Sequence, residues 1–261
     1  MLINQVLIYS EIHNVTNPKG IVIITHGIAL HSIYYRKMAE LLNQSGYAVV
    51  LYDVRGHGKS QGKRGDIKSI FQFTSDLNEL VDYTKKNYNG LPLFLLGHSM
   101  GGMITKVYST LYDNFDGSII LSSPSSSQRL GLFGLLPVTL FGSLKIKTDF
   151  SDPRLSHFPA SDNVDPYALK YFTYRLIIQT LKKATQHIDK NIANYNKPVL
   201  VMHGSDDKLV PHSMSKDFYD SLKNNDKTIV IVEGGYHNLN DDIVTENAVE
   251  SIVQWLDSHI N

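Results

Sequence analysis

The pentapeptide Gly97-His98-Ser99-Met100-Gly101 is where residue type and spacing in this chain point to chemistry. It follows the apolar run Leu93-Phe94-Leu95-Leu96 and precedes a helix-compatible stretch over 103–108. A serine with glycine two places before and two places after, between a buried strand and a helix, reads as a nucleophile elbow. The serine must stand on a sharp, strained turn for its hydroxyl to project from the sheet. A side chain two residues away on either side would collide with the neighbouring strand or helix. Gly102 adds a third small residue where the helix leaves close to the sheet. The backbone N–H of Met100 then faces the oxygen of an attacked carbonyl at a helix N-terminus. A phosphate cradle does not fit, because no Lys-Ser/Thr pair follows the glycines.

A serine hydroxyl is a poor nucleophile near neutral pH, so it needs a base, and the base needs an orienting acid. Behind an elbow these partners follow in the order serine, acid, histidine, on loops after later strands. The loop after the apolar run 198–202 reads His203-Gly204-Ser205-Asp206-Asp207-Lys208 and brings carboxylates to the C-terminal edge of a sheet. Asp206 and Asp207 are adjacent, and the pattern leaves both open as the acid. The loop after 228–232 reads Glu233-Gly234-Gly235-Tyr236-His237, which supplies the base His237 on a chain that two glycines let bend. The second oxyanion donor belongs on the loop Thr25-His26-Gly27-Ile28-Ala29-Leu30-His31, where the N–H of Ile28 takes that place. One base suffices, so His26 and His98 read as braces for their loops.

These groups require a sheet to carry them. Ile21-Val22-Ile23-Ile24 is a β-branched run of the kind buried on both faces of a parallel sheet. Strands are expected over 6–13 (one arm of a hairpin closed near Asn17-Pro18-Lys19-Gly20), 48–52, 117–121, 198–202 and 228–232. Helices are expected over 34–44, 71–88, around 213–222 and 242–259. Strand–helix alternation is lost between Pro124 and about Asn196 and then resumes. That organisation predicts one α/β core, 1–123 with 197–261, built on a mostly parallel sheet and carrying an insertion over 124–196. The insertion is too apolar at Leu132-Phe133-Gly134-Leu135-Leu136 to be a disordered linker.

A chain of 261 residues suits one large domain with an insertion. Lys plus Arg and Asp plus Glu are 25 each, which gives no electrostatic case for nucleic acid or an anionic membrane as the main partner. The absence of cysteine excludes disulfides and thiolate metal sites and is compatible with the cytosol. No signal peptide is read at the N-terminus, and the apolar stretch 130–144 is too short and too interrupted to span a bilayer. The histidines lack carboxylates or cysteines at ligand spacing, so neither metal nor cofactor is expected.

With these residues in place the chain resembles the monoacylglycerol lipase and lysophospholipase family of the α/β-hydrolases, in the serine-aminopeptidase-like clan. The resemblance covers nearly the whole chain outside the insertion. It rests on Asp53-Val54-Arg55-Gly56-His57-Gly58-Lys59-Ser60 with Gly62-Lys63-Arg64-Gly65, on the elbow through Gly102, and on the 233–237 block. It implies the acid is Asp207, three residues after Gly204, and that Ile28 and Met100 give the oxyanion N–H groups. It makes the insertion a cap over the site and the loop of Asp53 and 55–60 structural, with His57 outside the chemistry. The chain departs from the family after Gly27: Ala29 and Leu30 stand where glycine and glutamate are usual, and Tyr34 where an arginine is usual. Ile28 is also bulkier than the small residue common there.

The expected activity is hydrolysis of single-chain lipid esters, monoacylglycerol or lysophospholipid, through an acyl-enzyme. The uncharged cap run is expected to line the acyl channel with Phe133, Leu136 and Leu140, and to touch the membrane or micelle that presents the substrate. The expected location is cytoplasmic, peripheral to the membrane at most. A peptidase or amidase on the same scaffold is the rival, with Asp149, Asp152, Asp162 and Asp165 available to hold a free amine. A non-catalytic binding module would have lost one of these groups, and none is lost.

Overall fold

The computed structural model describes residues 1–158 and 165–260. Seven strands form the central sheet: β1 (Ser10–His13), β2 (Gly20–Thr25), β3 (Tyr47–Tyr52), β4 (Leu93–His98), β5 (Gly117–Leu121), β6 (Val199–Gly204) and β7 (Lys227–Val232). Their spatial order is β7-β6-β5-β4-β2-β3-β1, all parallel except β1, which runs antiparallel to β3. Strands β2 to β6 are buried along their whole length, which is why they read as near-continuous apolar runs.

Helices α1 (Arg36–Gln44), α2 (Ile70–Asn87), α3 (Met100–Ser109), α4 (Ala184–Asn191), α5 (Ser213–Ser221) and α6 (Thr245–Asp257) cover the two faces. Alternation along β2 divides the core. Ile21 and Ile23 face one cluster with Leu77 of α2 and Val107 of α3, while Val22 and Ile24 face another with Met38 of α1 and Trp255 of α6. From β2 the chain goes outward to β3 and then returns across β2 to β4, so β2 and β4 flank a topological switch point. Ligand crevices in open α/β sheets form at such a point, beyond the carboxyl ends of the strands.

Two expectations change. The turn at 17–20 does not close a hairpin: β1 pairs with β3, and β3 separates it from β2. Within 124–196 a helical run begins at Tyr174, passes through π-helical turns over Ile178–Lys183 and continues as α4. The π turns rotate the buried stripe, so a 3.6-residue period does not emerge from the sequence. Leu176, Ala184, Ile188 and Tyr195 join the buried cluster beneath β2, so this end of the insertion packs into the core.

The insertion is also sewn to the core by polar contacts. The N–H of Leu169 donates to the Ala29 carbonyl at 3.0 Å, and that of Thr173 to the Gly65 carbonyl at 2.8 Å. Arg64 donates to the carbonyls of Gly58 and Tyr167, while Asp66 is paired with Arg175 and Lys63 and accepts from the Thr173 hydroxyl at 2.8 Å.

Candidate active site

The turn between β4 and α3 puts Ser99 at φ 53°, ψ −113°, a conformation that side chains other than glycine rarely take. The flanking glycines permit it. A Cβ on Gly97 would strike the Gly101 carbonyl and Thr105 Oγ1, and one on Gly101 would strike the Thr25 carbonyl of β2. The steric requirement read from the pentapeptide is thus met by identifiable neighbours.

Loops after β6 and β7 reach this turn. The Ser99 hydroxyl lies 3.0 Å from His237 Nε2, and His237 Nδ1 lies 2.7 Å from Asp207 Oδ2. Facing a carboxylate, Nδ1 carries the proton and donates, which leaves Nε2 free to accept from the serine. Asp207 is buried; its Oδ1 accepts the N–H groups of Leu209 and Val210 at 2.8 Å each, and its Oδ2 also accepts from His203 Nε2 at 2.9 Å. Burial works against its charge, but the hydrogen bonds from His203 and His237 outweigh it and hold the carboxyl well below the usual range. Asp206 is exposed, with its carboxylate near only the Ser205 hydroxyl. The geometry therefore separates the two adjacent aspartates that sequence pattern alone left equal.

His98 knits three loops together. Its Nε2 donates to the His237 carbonyl at 3.0 Å, and its Nδ1 accepts from the Tyr35 hydroxyl at 2.6 Å. That hydroxyl in turn accepts the Gly27 N–H at 2.9 Å. Burial, with repulsion from His237, pushes the His98 imidazole down to about 3, so it stays neutral. His26 accepts the Val54 N–H at Nε2 and donates from Nδ1 to the Gly27 carbonyl; burial pushes it down to about 4. Both histidines sit as braces. His57 is fully buried under its loop, pushed down to about 3 by burial, and stands outside the relay. Asp53 accepts the N–H groups of Ser32 and Lys59, while Arg55 pairs with Asp76.

Ile28, Ser99 and Met100 line a common cavity, and among the described residues neither the Ile28 nor the Met100 N–H has a protein acceptor. Ala29, next to Ile28, has φ 64°, which explains why glycine suits this place. His31 lies 2.6 Å from Asp165, which also accepts from the Tyr34 hydroxyl at 2.9 Å. A carboxylate from the stretch 124–196 thus holds His31 and the Tyr34 hydroxyl together.

Two cavities meet at Ser99. One, of about 230 Å³, is walled by Met100, Pro124, Ile177, Leu181, Val210 and Met214 and is almost wholly apolar. The other, of about 430 Å³, contains Gly27, His98, Ser99 and His237, apolar Ile146, Phe150 and Phe172, and the charged Lys147, Asp149, Asp152 and Arg154. Ile28 and Leu209 belong to both. The structure does not bring Phe133, Leu136 or Leu140 to either cavity. Gly131 at φ 47° breaks the run there, and the Tyr174 hydroxyl donates to the carbonyls of Phe133 and Leu136, which fixes the segment between them. Leu132, Leu135 and Leu140 are 84%, 70% and 78% exposed. Sequence reasoning missed the helical wall at Ile177 and Leu181, the second histidine His203, and Asp165 as a brace. Of these, only His203, beside the strand end that carries the acid, had a visible signal.

Residues 16–243 match the serine aminopeptidase S33 family. The chain belongs to that family. It is an α/β-hydrolase and an enzyme of the serine-hydrolase class. Similar proteins include a monoacylglycerol lipase of Mycolicibacterium smegmatis, 27% identical over 94% of this chain and 90% of that one. A phospholipase of Bacillus subtilis is 28% identical over 93% of this chain and 97% of that one. The crystal structure of a Paleococcus ferrophilus monoacylglycerol lipase superposes on this hydrolase with a TM-score of 0.81 and 28% identity, covering 97% and 99% of the two chains.

Proposed function

We propose that this enzyme hydrolyses esters of single-chain lipids, monoacylglycerol or lysophospholipid, with Ser99 as nucleophile, His237 as base and Asp207 as the acid that orients it. The observation that carries this reading is the Ser99–His237–Asp207 relay opening directly onto an apolar cavity. Ser99 attacks the ester carbonyl as His237 takes its proton, and the developing oxyanion is held by the N–H groups of Ile28 and Met100. His237 then protonates the leaving alcohol, and water repeats the sequence on the acyl-enzyme. The apolar arm suits the acyl chain, and the wider arm with its charged rim suits the alcohol.

The peptidase alternative needs a carboxylate free to hold an amine. Asp152 is paired with Arg154 and Asp165 with His31 and Tyr34, and Asp162 lies outside the described residues. Among the described residues Asp149 accepts hydrogen bonds only from Ser151, and it lines the wider cavity, so the ester reading rests on the apolar arm, and the aminoacyl amide in the panel tests the rival. The exposed Leu132, Leu135 and Leu140 form the contact by which 124–196, acting as a cap, meets a membrane or micelle transiently. No helix of the described residues is long and apolar enough to cross a membrane; a cytoplasmic, at most peripheral, location fits this reading.

A panel of monoacylglycerol, lysophosphatidylcholine, nitrophenyl esters and an aminoacyl amide tests this reading, with Ser99→Ala as blank and fluorophosphonate labelling as a second readout. Wild type should cleave the lipid esters and take the label. The alanine variant should lose roughly 10⁴-fold or more in rate and stay unlabelled. Substantial turnover by Ser99→Ala refutes the mechanism.

A further inference from the structure

Lys106 is an unusual residue for the interior of α3. It is 1% exposed, two helical turns beyond Ser99, and burial pushes its amine down to about 7. A buried ammonium is costly unless its donors are used. Its Nζ donates to the Pro124 carbonyl at 3.0 Å and reaches the Ser123 carbonyl at 3.5 Å, and it sits 4.2 Å from the Phe218 ring centre. Both carbonyls belong to the segment that leaves β5, just after Ser122, whose φ of 44° marks a strained turn.

That segment is a partition. Pro124 and Ser126 line the apolar arm at Ser99, while Ser125 between them lines a separate cavity of about 150 Å³ that contains Lys106. The helical wall is shared in the same way. Ile177, Thr180 and Leu181 face the arm, and Thr185 and Ile188, further along the same helical run, face the Lys106 cavity. The π-helical turns over Ile178–Lys183 lie across this junction.

We infer that Lys106 is a positioning residue for acyl-chain selectivity: its amino group pins the Ser123–Pro124 carbonyls and so fixes the partition that closes the apolar arm against the second cavity. The inference rests on the reading of that arm as the acyl site. With the partition pinned, chains longer than the arm meet a wall. With it free, the arm and the Lys106 cavity can merge, and the extra methylenes reach Ile188 and Phe218, the apolar part of a lining that also carries Asp189, Asp217 and Ser221.

The test uses Lys106→Met, which keeps the side chain's length and removes its donors. Nitrophenyl esters from acetate to hexadecanoate are compared, with rates normalised to the fraction of enzyme that a fluorophosphonate titrates. The ratio of kcat/KM for hexadecanoate over octanoate should rise about tenfold, roughly the worth of one to two newly buried methylenes. Lys106→Leu, which also removes the amino group and leaves the lining of the arm untouched, should move the ratio in the same direction and serves if Lys106→Met does not fold. An unchanged ratio in the folded variant, or an equal loss at every chain length, overturns the inference and makes Lys106 structural only. Wild type that cleaves no ester would instead sink the parent reading.

Discussion

Replacing Asp207 by asparagine is the most incisive change the site offers, because the result comes from counting donors. Oδ1 of Asp207 accepts two backbone N–H groups, from Leu209 and Val210, so the amide oxygen of an asparagine must turn towards them. The amide NH₂ then occupies the place of Oδ2, facing His237 Nδ1 at 2.7 Å and His203 Nε2 at 2.9 Å. Two donors cannot face each other at that distance. His237 must move its proton to Nε2, where it points at Ser99 and can no longer accept from it. A wrong tautomer in an otherwise intact serine triad costs about 10⁴ in kcat. Asp207→Asn should therefore lose about that factor on a short soluble ester, with a much smaller change in KM, while circular dichroism reports an intact fold. Asp206→Asn, on an exposed side chain, should stay within about twofold of wild type. A larger loss for Asp206→Asn than for Asp207→Asn would refute the reasoning, and comparable activity in both would place the acid elsewhere.

Other perturbations test the supports of the site. Ala29→Gly should leave Tm within about 3 °C of wild type, since relief of a left-handed non-glycine, about 1–2 kcal/mol, is set against glycine's greater freedom in the unfolded chain, about 0.4–1, and the lost burial of the Ala29 methyl, about 0.8; a larger shift in either direction would contradict this balance. Asp66→Asn should lower Tm at neutral pH by unpairing Arg175 and Lys63. Although burial alone would raise the Asp66 carboxyl, its partners lower it from 3.8 to about 2, so its stabilisation is complete above about pH 5 and is lost as pH falls through that interval. The wild-type advantage should fade in melts taken from pH 6 down to pH 2, and an advantage that grew on acidification would be incompatible with this ion pair. Leu132→Ser with Leu135→Ser and Leu140→Ser should reduce sedimentation with phosphatidylcholine vesicles several-fold while acetate-ester hydrolysis stays near wild type; unchanged vesicle binding would remove these leucines from membrane contact.

The parts legible in the sequence were those whose cause is local. Glycine at 97 and 101 answers clashes with atoms that any strand–elbow–helix brings close, so the pentapeptide announced its own geometry. The run 21–24 announced a strand covered on both faces for a similar reason. Pairing partners are set by the whole sheet, and the turn residues at 17–20 could report a turn without saying that β1 would lie beside β3. The stretch 124–196 was harder still. Its run at 132–141 is as apolar as a channel lining, yet composition does not say which way side chains point. Gly131 and the Tyr174 hydroxyl determine that, and Tyr174 lies some forty residues on. Asp206 and Asp207 differ only in register, which the backbone contacts of Leu209 and Val210 settle from within the loop.

The seam between Asp165 and Leu169 and the loop bearing Ile28 bears on how such enzymes can be recombined. Leu169 holds the carbonyl of Ala29 and Asp165 holds His31, so two of the three residues after Ile28 take their positions from the insertion. A chimera that kept this core and received the cap of another hydrolase would keep every residue of the relay and lose the supports of the loop beside it. Residues 124–196 are not an exchangeable module: substituting them for a new substrate also resets the geometry beside Ser99, unless the seam is transplanted with them.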